Sequence, residues 1–212
     1  MYLSQLIGPL YVFSADLAIP ALFIAVLSYL AGSVSTAIIV CKAMGLKDPR
    51  TEGSGNPGAT NVLRVGGKLP AALTLLGDAV KGFLPVVITA ALVDHPATIA
   101  LAAFAAFLGH LYPIFFDFRG GKGVATGFGA LFGLDLTIGT LALLTWLAIS
   151  LAFKRSSLAA LATFVLVPFY LLFEGQMTFA AGFVMIGGFI FYTHRANIQR
   201  LLAGTEPLIG KK

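Results

Sequence analysis

Residues 136–153 read LTIGTLALLTWLAISLAF, an apolar run without a charged side chain between Asp135 and the basic pair Lys154-Arg155. As an α-helix this run would be about 27 Å long, close to the roughly 30 Å hydrocarbon core of a bilayer. The rest of the chain has the same character: 58% of its 212 residues are hydrophobic, 11% are charged, and the mean hydropathy is +0.92. This composition excludes an ordinary soluble domain and predicts a transmembrane protein.

Similar apolar runs, separated by short polar breaks, fill most of the chain. The candidate spans are residues 17–41, 69–92, 96–116, 123–134, 136–153, 157–173 and 177–193. We therefore predict an all-α, polytopic membrane bundle of about seven transmembrane helices, with residues 1–212 forming one domain. The fourth run would rise only about 18 Å as a helix, so it is expected to be tilted, partly buried in protein or half-spanning. The first run is too long for a signal peptide and follows no basic segment, so we expect it to be retained.

Outside the runs themselves, lysine and arginine occur only in alternate breaks and after the last run. They are Lys42, Lys47, Arg50, Arg64, Lys68, Arg119, Lys122, Lys154, Arg155, Arg195, Arg200, Lys211 and Lys212, whereas the other breaks hold Asp16, Asp94, His95, Asp135 and Glu174. The positive-inside rule then places the N-terminus outside and the C-terminus in the cytoplasm. The net charge of +5 follows from this asymmetry and suits anionic lipid head groups, so no nucleic-acid partner is predicted.

Two glycine-rich loops fall on the predicted cytoplasmic side. Residues 53–61 read GSGNPGATN, and residues 120–123 read GGKG. Glycine allows backbone N–H groups to converge on an anion, and polar or cationic side chains add further donors. Those side chains are Ser54, Asn56, Thr60, Asn61, Arg64 and Lys122. The pattern favours phosphate binding at a membrane surface, although glycines also occur in ordinary helix connections.

Two charged residues lie inside the second run. Asp78 and Lys81 are three residues apart and therefore share a helix face. An unpaired charge is costly in lipid, so we predict that the two neutralise each other or face a polar interior. Whether they form only a structural ion pair or also position one of the glycine loops stays open at this point.

The remaining candidate side chains lie near the predicted cytoplasmic ends of other runs. His110 comes at the end of the third run, where a structural hydrogen bond is as compatible with the sequence as a functional role. His194 and Asn197 share a helix face after the seventh run and are able to donate to one ligand, unless they only terminate an interfacial helix. Ser156 and Ser157 open the sixth run, where either serine can cap the helix and where the helix N-terminus would also attract an anion.

Several chemistries are excluded by what the sequence lacks. The second glycine loop does not have the spacing of a nucleotide-binding P-loop, and the chain has neither a Gly-x-Ser-x-Gly elbow nor a His-x-x-x-x-Asp dyad. Asp48, Glu52 and Asp117 are scattered among basic residues, so we predict no metal and no cofactor. The single Cys41 has no partner for an internal disulfide.

Four segments together closely resemble the PlsY family of bacterial acyl-phosphate:glycerol-3-phosphate acyltransferases. They are residues 53–64 (GSGNPGATNVLR), 109–126 (GHLYPIFFDFRGGKGVAT), 154–158 (KRSSL) and 194–198 (HRANI). The resemblance implies an enzyme of seven helices in the bacterial cytoplasmic (inner) membrane, with its active site open to the cytoplasm. It further implies transfer of a fatty acyl group from acyl phosphate to the 1-hydroxyl of glycerol 3-phosphate, giving lysophosphatidic acid and inorganic phosphate.

The resemblance also implies roles for individual residues. The expected catalytic residues are Ser54, Lys122, His194 and Asn197. The expected substrate-binding residues are Ser54, Gly55, Asn56, Thr60, Asn61, Arg64, His110, Gly120, Gly121, Lys122, Gly123, Ser157, His194 and Asn197. The attacking hydroxyl would lose its proton either to His194 or to a phosphate oxygen of a substrate, and the family resemblance favours the phosphate.

A transporter for a phosphorylated solute is the competing class, because polytopic helices and intramembrane charges also suit transport. Such transporters usually contain an internal repeat and place their site near the membrane midplane. Here neither half of the chain repeats the other, and the anion-binding loops cluster at one face. The sequence therefore favours the membrane enzyme.

Overall fold

The computed structural model of the protein describes residues 15–209, and the regular structure in this range is helical throughout. The elements are α1 (Ala15–Gly32), α2 (Thr36–Ala43), α3 (Ala59–Gly66), α4 (Lys68–Leu92), α5 (Pro96–Leu111), a 3-10 turn (Ile114–Phe116), α6 (Val124–Leu134), α7 (Leu136–Phe153), α8 (Ser156–Phe173), α9 (Met177–Thr193) and α10 (Arg195–Leu202). The predicted all-α membrane bundle is thereby confirmed. The side chains of Asp16, Lys211 and Lys212, which entered the charge argument, lie outside the described part of the chain.

Five segments among the described residues are long and apolar enough to cross a membrane. They are Ala18–Ala43, Lys68–Leu92, Pro96–Phe116, Leu136–Phe153 and Ser156–Phe173. Helices α9 and α10, which meet at an angle of 64°, pass the same test as a bent pair. Helix α6 is apolar but shorter. The boundaries agree closely with the seven predicted runs, while full crossing by the fourth run and the orientation of the termini stay predictions.

The short helix α6 is covered by protein rather than surrounded by lipid. A Cβ added to Gly129 on α6 would collide with the backbone of Ala79 on α4, and one added to Gly82 on α4 would collide with the backbone of Thr126. Ala130 is fully buried. The glycines therefore bring the two helix backbones into direct contact, as small residues do between membrane helices.

The first span is broken where α1 ends and α2 begins. At the break the N–H and the hydroxyl of Ser33 both donate to the carbonyl of Tyr29, each at 2.8 Å. Gly32 and Gly109 allow α1 to lie directly on α5, because a Cβ at either position would collide with the backbone of the other helix. The break thus turns the chain toward the first glycine loop without leaving these groups unsatisfied.

Aromatic and aliphatic side chains fill the centre of the bundle between α5, α6, α8 and α9. Phe107, Phe164 and Phe183 are at most 2% exposed, and the rings of Phe128 and Phe164 meet edge to face at 5.5 Å between centroids. The outer surface instead carries exposed apolar side chains such as Phe173. This distribution suits a bundle whose outer face contacts lipid. The packed helices carry the two glycine loops at their ends.

Candidate functional site

Asn61, in the first turn of α3, holds the first glycine loop in shape. Its Oδ1 accepts from the N–H of Ser54 at 2.8 Å, and its Nδ2 donates to the carbonyls of Pro49 at 2.9 Å and Glu52 at 3.0 Å. The residue is 1% exposed, and Gly53, with φ +59°, leaves the space that its amide occupies. Both N–H groups of the amide are used inside the loop, and contact between Asn61 and a ligand stays a prediction.

Some other hydrogen-bond donors of the first loop are used within the loop, and others are not. The N–H of Gly55 donates to Glu52 at 3.0 Å, so this predicted donor is also used within the loop. Ser54 and Thr60 are exposed and Asn56 is half-buried. Among the described residues, these three side chains make no hydrogen bond, so they are the side-chain donors that the first loop still offers.

Arg50 connects the first loop to the segment that leads into the second. Its guanidinium lies 2.8 Å from Asp48 and 3.2 Å from Asp117, and it also donates to the carbonyl of Phe116 at 3.2 Å. Hydrogen bonds from Arg50 hold the pKa of Asp48 below its ordinary value, although burial acts in the opposite direction. The two loops are therefore joined at one end of the bundle.

The first two glycines of the second loop pack against the C-terminal end of α5. The N–H of Gly120 donates to the carbonyl of Leu111 at 3.1 Å, and that of Gly121 donates to the carbonyl of His110 at 3.2 Å. These bonds satisfy carbonyls that a helix end leaves without a partner. Both N–H groups are thus used within the protein, and both glycines allow a contact with α5 that a Cβ would block. Contact between this loop and a substrate stays a prediction.

Lys122 is the group of the second loop that enters the site. Gly123, with φ +85°, starts α6 directly after it, and the Lys122 Nζ donates to the Oδ1 of Asn197 on α10. Burial is the main cause that lowers the pKa of Lys122 to about 8. The cations of Arg200 and Arg64 act in the same direction, and Glu206 opposes them. Arg64 is therefore near enough to act on Lys122 electrostatically, and its contact with a substrate stays a prediction.

Glu206, which the sequence reasoning missed, is the centre of the hydrogen-bond network. Its carboxylate accepts from the hydroxyl of Ser157 at 2.6 Å, from the Nδ2 of Asn197 at 2.6 Å and from the Nε of Arg200 at 2.8 Å. It is 7% exposed. Burial acts to raise the pKa of Glu206, but these hydrogen bonds outweigh it and lower the pKa below its ordinary value. The available sequence signal was a single carboxylate in a C-terminal segment that otherwise carries basic charges.

Ser157 belongs to the site through a hydrogen bond to Glu206 and not as a helix cap. Helix α8 begins at Ser156 with Arg155 at its N-cap, and no side chain caps it. Capping by Ser156 or Ser157 is therefore wrong, because the chain enters the helix one residue earlier and the Ser157 hydroxyl turns to Glu206. The predicted role of Ser157 toward phosphate stays a prediction.

His194 lies just beyond the last residue of α9, at the bend that leads into α10. Its Nδ1 is 2.8 Å from the carbonyl oxygen of Ile190, which only accepts, so Nδ1 carries the hydrogen and Nε2 keeps a lone pair. Burial, followed by the nearby Lys122 cation, lowers the pKa of His194 to about 4. His194 is therefore neutral at pH 7, and the bend brings it to the same side as Asn197.

His110 lies behind the second loop rather than beside Lys122. Its ring faces Gly121, while its Nδ1 is 3.6 Å from the Oδ1 of Asp78. Asp78 in turn pairs with Lys81 at 2.8 Å, so the predicted ion pair is confirmed. A direct contact between His110 and a substrate stays a prediction.

An apolar groove of about 450 Å³ runs along the outer surface beside the second loop. It is lined by Tyr112, Met185, Gly188, Phe189 and Tyr192. The residue after Tyr192 is Thr193, whose hydroxyl is 3.3 Å from the Lys122 carbonyl oxygen. Cationic donors and an apolar surface therefore adjoin, an arrangement that suits an amphiphilic anion.

Comparisons with known proteins agree with this arrangement. A family model described as glycerol-3-phosphate acyltransferase matches residues 22–204. Two relatives called glycerol-3-phosphate acyltransferase are 53% identical over 186 residues, in Thioalkalivibrio sulfidiphilus, and 51% identical over 186 residues, in Methylococcus capsulatus. Each alignment covers 87% of this chain, with 92% of the first relative and 94% of the second.

Two solved structures of PlsY (YgiH), an integral membrane glycerol 3-phosphate acyltransferase, have a similar fold. The glycerol 3-phosphate form gives a TM-score of 0.86 at 37% identity, and the lysophosphatidic acid form gives 0.84 at 36% identity. Both superpositions cover 90% of this chain and 96% of the solved chain.

Proposed function

The chain belongs to the glycerol-3-phosphate acyltransferase family, and from this premise we propose that its acyl donor is acyl phosphate and its acceptor is the 1-hydroxyl of glycerol 3-phosphate. The products would be lysophosphatidic acid and inorganic phosphate. The family assignment makes the protein an integral membrane acyltransferase of phospholipid synthesis. The two ligand forms of PlsY, one with glycerol 3-phosphate and one with lysophosphatidic acid, support the acceptor and the product.

The observation that carries the proposal is the position of Lys122 between the second glycine loop and α10. Its ammonium is held by Asn197 and lies near the cations of Arg64 and Arg200. Acyl phosphate is already activated, so the protein needs mainly to orient two phosphates and to stabilise developing negative charge. A cluster of cations and neutral donors supports that task better than it supports a covalent intermediate.

We assign the two substrates to different parts of the site. Ser54, Gly55, Asn56 and the loop Gly120–Gly123 would lie around the acyl phosphate, whereas Arg64, Lys122, Ser157, His194 and Asn197 would lie around glycerol 3-phosphate. Lys122 would touch both phosphates, and the acyl chain would lie in the groove beside it.

In the proposed reaction the 1-hydroxyl oxygen attacks the acyl carbonyl carbon. The bond between that carbon and the phosphate oxygen breaks, phosphate leaves with the electron pair, and a phosphate oxygen takes the hydroxyl proton. A pKa of about 4 makes His194 a weak base at neutral pH, which favours the phosphate as base. The Ser157 hydroxyl donates to Glu206, which supports direct transfer without an acyl-serine.

We further propose a location in the bacterial cytoplasmic membrane with the site open to the cytoplasm. Arg64, Lys122 and Arg200 lie at one end of the bundle, and the charge pattern of the sequence assigns that end to the cytoplasm. Glycerol 3-phosphate would then enter from water, and the acyl donor would enter from the bilayer.

The test is phosphate release by the purified protein in lipid, with glycerol 3-phosphate and either long-chain acyl phosphate or acyl-CoA. We expect turnover with acyl phosphate alone and its loss in Lys122→Ala. Turnover with acyl-CoA would refute the proposed donor. No turnover with either donor, in protein shown to be folded, would refute the proposed reaction.

A further inference from the structure

A buried ion pair lies beneath both glycine loops, and the proposed reaction does not use it. Asp78 and Lys81 on α4 are 2% and 8% exposed, and the Lys81 Nζ is 2.8 Å from the Asp78 Oδ1. Replacing such a pair with apolar residues is often neutral or stabilising, so the pair is weak evidence for stability by itself. Its contacts indicate another use.

Lys81 holds the element that leads into the first loop. Besides pairing with Asp78, its ammonium donates to the carbonyl of Val34 at 2.8 Å, inside the break of the first span. Helix α2 starts two residues later at Thr36, against Gly77 of α4, and the chain then continues into the first glycine loop. The cation therefore fixes the start of the helix that delivers this loop.

Asp78 packs against the element that leads into the second loop. The Asp78 carboxylate is 3.6 Å from the Nδ1 of His110, near the end of α5. The other side of the His110 ring faces Gly121, and the His110 carbonyl accepts the Gly121 N–H. A Cβ at Gly121 would also lie 3.2 Å from the carbonyl oxygen of Pro57, so the first loop is in contact at the same point.

The same turn of α4 also contacts the helix that leaves the second loop. Gly82, the residue after Lys81, lies against the backbone of Thr126 in the first turn of α6. The second loop is thus held at its entry through His110 and at its exit through Gly82. Residues 77–82 of α4 therefore contact α2, which leads toward the first loop, and α5 and α6, which flank the second loop.

We propose that the Asp78–Lys81 pair is a positioning device that sets the two glycine loops relative to each other, Lys81 acting through the Val34 carbonyl and Asp78 acting through the His110 ring. The inference rests on the proposed function insofar as the two loops hold the two substrates. Neither residue of the pair touches a substrate in this proposal.

The discriminating variant is the double substitution Asp78→Asn with Lys81→Met. It removes both charges at nearly constant volume, so no lone charge is left buried. Asp135→Asn is the matched control, because Asp135 also accepts from a side chain, Gln176 at 2.8 Å, but at the opposite end of the bundle. Size-exclusion profiles and Tm values would identify folded protein before any kinetic comparison.

Two readouts separate positioning from simple support of the fold. We expect the folded double variant to lose about tenfold or more in kcat/KM for glycerol 3-phosphate, because misplaced reactants lose much of the benefit of orientation. We also expect faster hydrogen exchange at the amides of Ser54, Gly120 and Gly121, which are bonded in the present structure. Asp135→Asn should change neither quantity.

Wild-type kcat/KM and unchanged loop exchange in a folded double variant would overturn the inference. If the double variant does not fold, Asp78→Leu with Lys81→Met, which also leaves no lone buried charge, receives the same measurements with the same expected direction. Failure of both variants to fold would assign the pair to folding and would also overturn the inference. An inactive wild-type protein would instead refute the proposed function, while loop exchange would still test the positioning.

Discussion

Raising the pH from 7 to 9 should remove the charge that the site depends on. With a pKa of about 8, Lys122 is protonated below that pH and neutral above it. The charged fraction then falls from about 90% at pH 7 to about 10% at pH 9, which predicts about a tenfold fall in kcat/KM. Glycerol 3-phosphate does not contribute to this fall, because the second pKa of a phosphate ester is about 6.

Glu206→Gln should lower the pH at which kcat/KM falls. The Glu206 carboxylate acts to raise the pKa of Lys122, so its removal should move the midpoint below about 8. In the wild-type protein, kcat should fall at a higher pH than kcat/KM does. The reason is that bound glycerol 3-phosphate, a dianion beside Lys122, favours the charged amine and raises its pKa.

The assay is phosphate release at several glycerol 3-phosphate concentrations between about pH 6.5 and 9.5, with the Lys122→Ala protein supplying the background hydrolysis of acyl phosphate. Asp135→Asn serves as the control and should have the wild-type midpoint. A kcat/KM that is flat through pH 9, or a Glu206→Gln midpoint at or above that of the wild type, would refute this account of Lys122.

Three other substitutions test separate parts of the site. Asn61→Ala should lower stability by about 1–3 kcal/mol, because the N–H of Ser54 and the carbonyls of Pro49 and Glu52 lose their partner; a Tm equal to that of the wild type would contradict this role. Gly121→Ala should reduce kcat/KM by about tenfold or more, because its Cβ would collide with the His110 ring. Gly182→Ala is the control: its Cβ would make an ordinary 3.6 Å contact, so this variant should have the wild-type kcat/KM. His194→Ala should raise KM for glycerol 3-phosphate and leave turnover at saturation nearly unchanged, so a large loss of kcat would restore His194 as the general base.

Hydrophobic runs and loop charges predicted most of the fold, because a bilayer demands long apolar helices and places basic residues at one end. The structure starts α7 at Leu136 and ends it at Phe153, as the composition of that run predicted. The bend between α9 and α10 was harder to predict, since it depends on how His194 and Asn197 pack rather than on hydropathy. The break at Val34 likewise depends on a contact with Lys81, 47 positions away.

The candidate site was predictable in its residue types and less so in its hydrogen bonds. Lys122, His194 and Asn197 lie together as the motifs implied, but glycine-rich sequence does not reveal which N–H groups are already satisfied. Gly120 and Gly121 use theirs on the end of α5, in hydrogen bonds across the intervening turn that the glycine pattern does not contain. Glu206 was missed for the same reason, because its partners Ser157 and Asn197 come from two separate helices.

The groove beside Lys122 lies on the outside of the bundle, where Tyr112, Met185 and Tyr192 are 39%, 52% and 57% exposed. If an acyl donor occupies it, the concentration that governs binding is the mole fraction of donor in the surrounding lipid, not its amount per volume of solution. Adding inert lipid at constant total donor should then slow the reaction, while the apparent KM for glycerol 3-phosphate in the aqueous phase should stay the same. The enzyme would thus follow surface-dilution kinetics for one substrate and ordinary solution kinetics for the other.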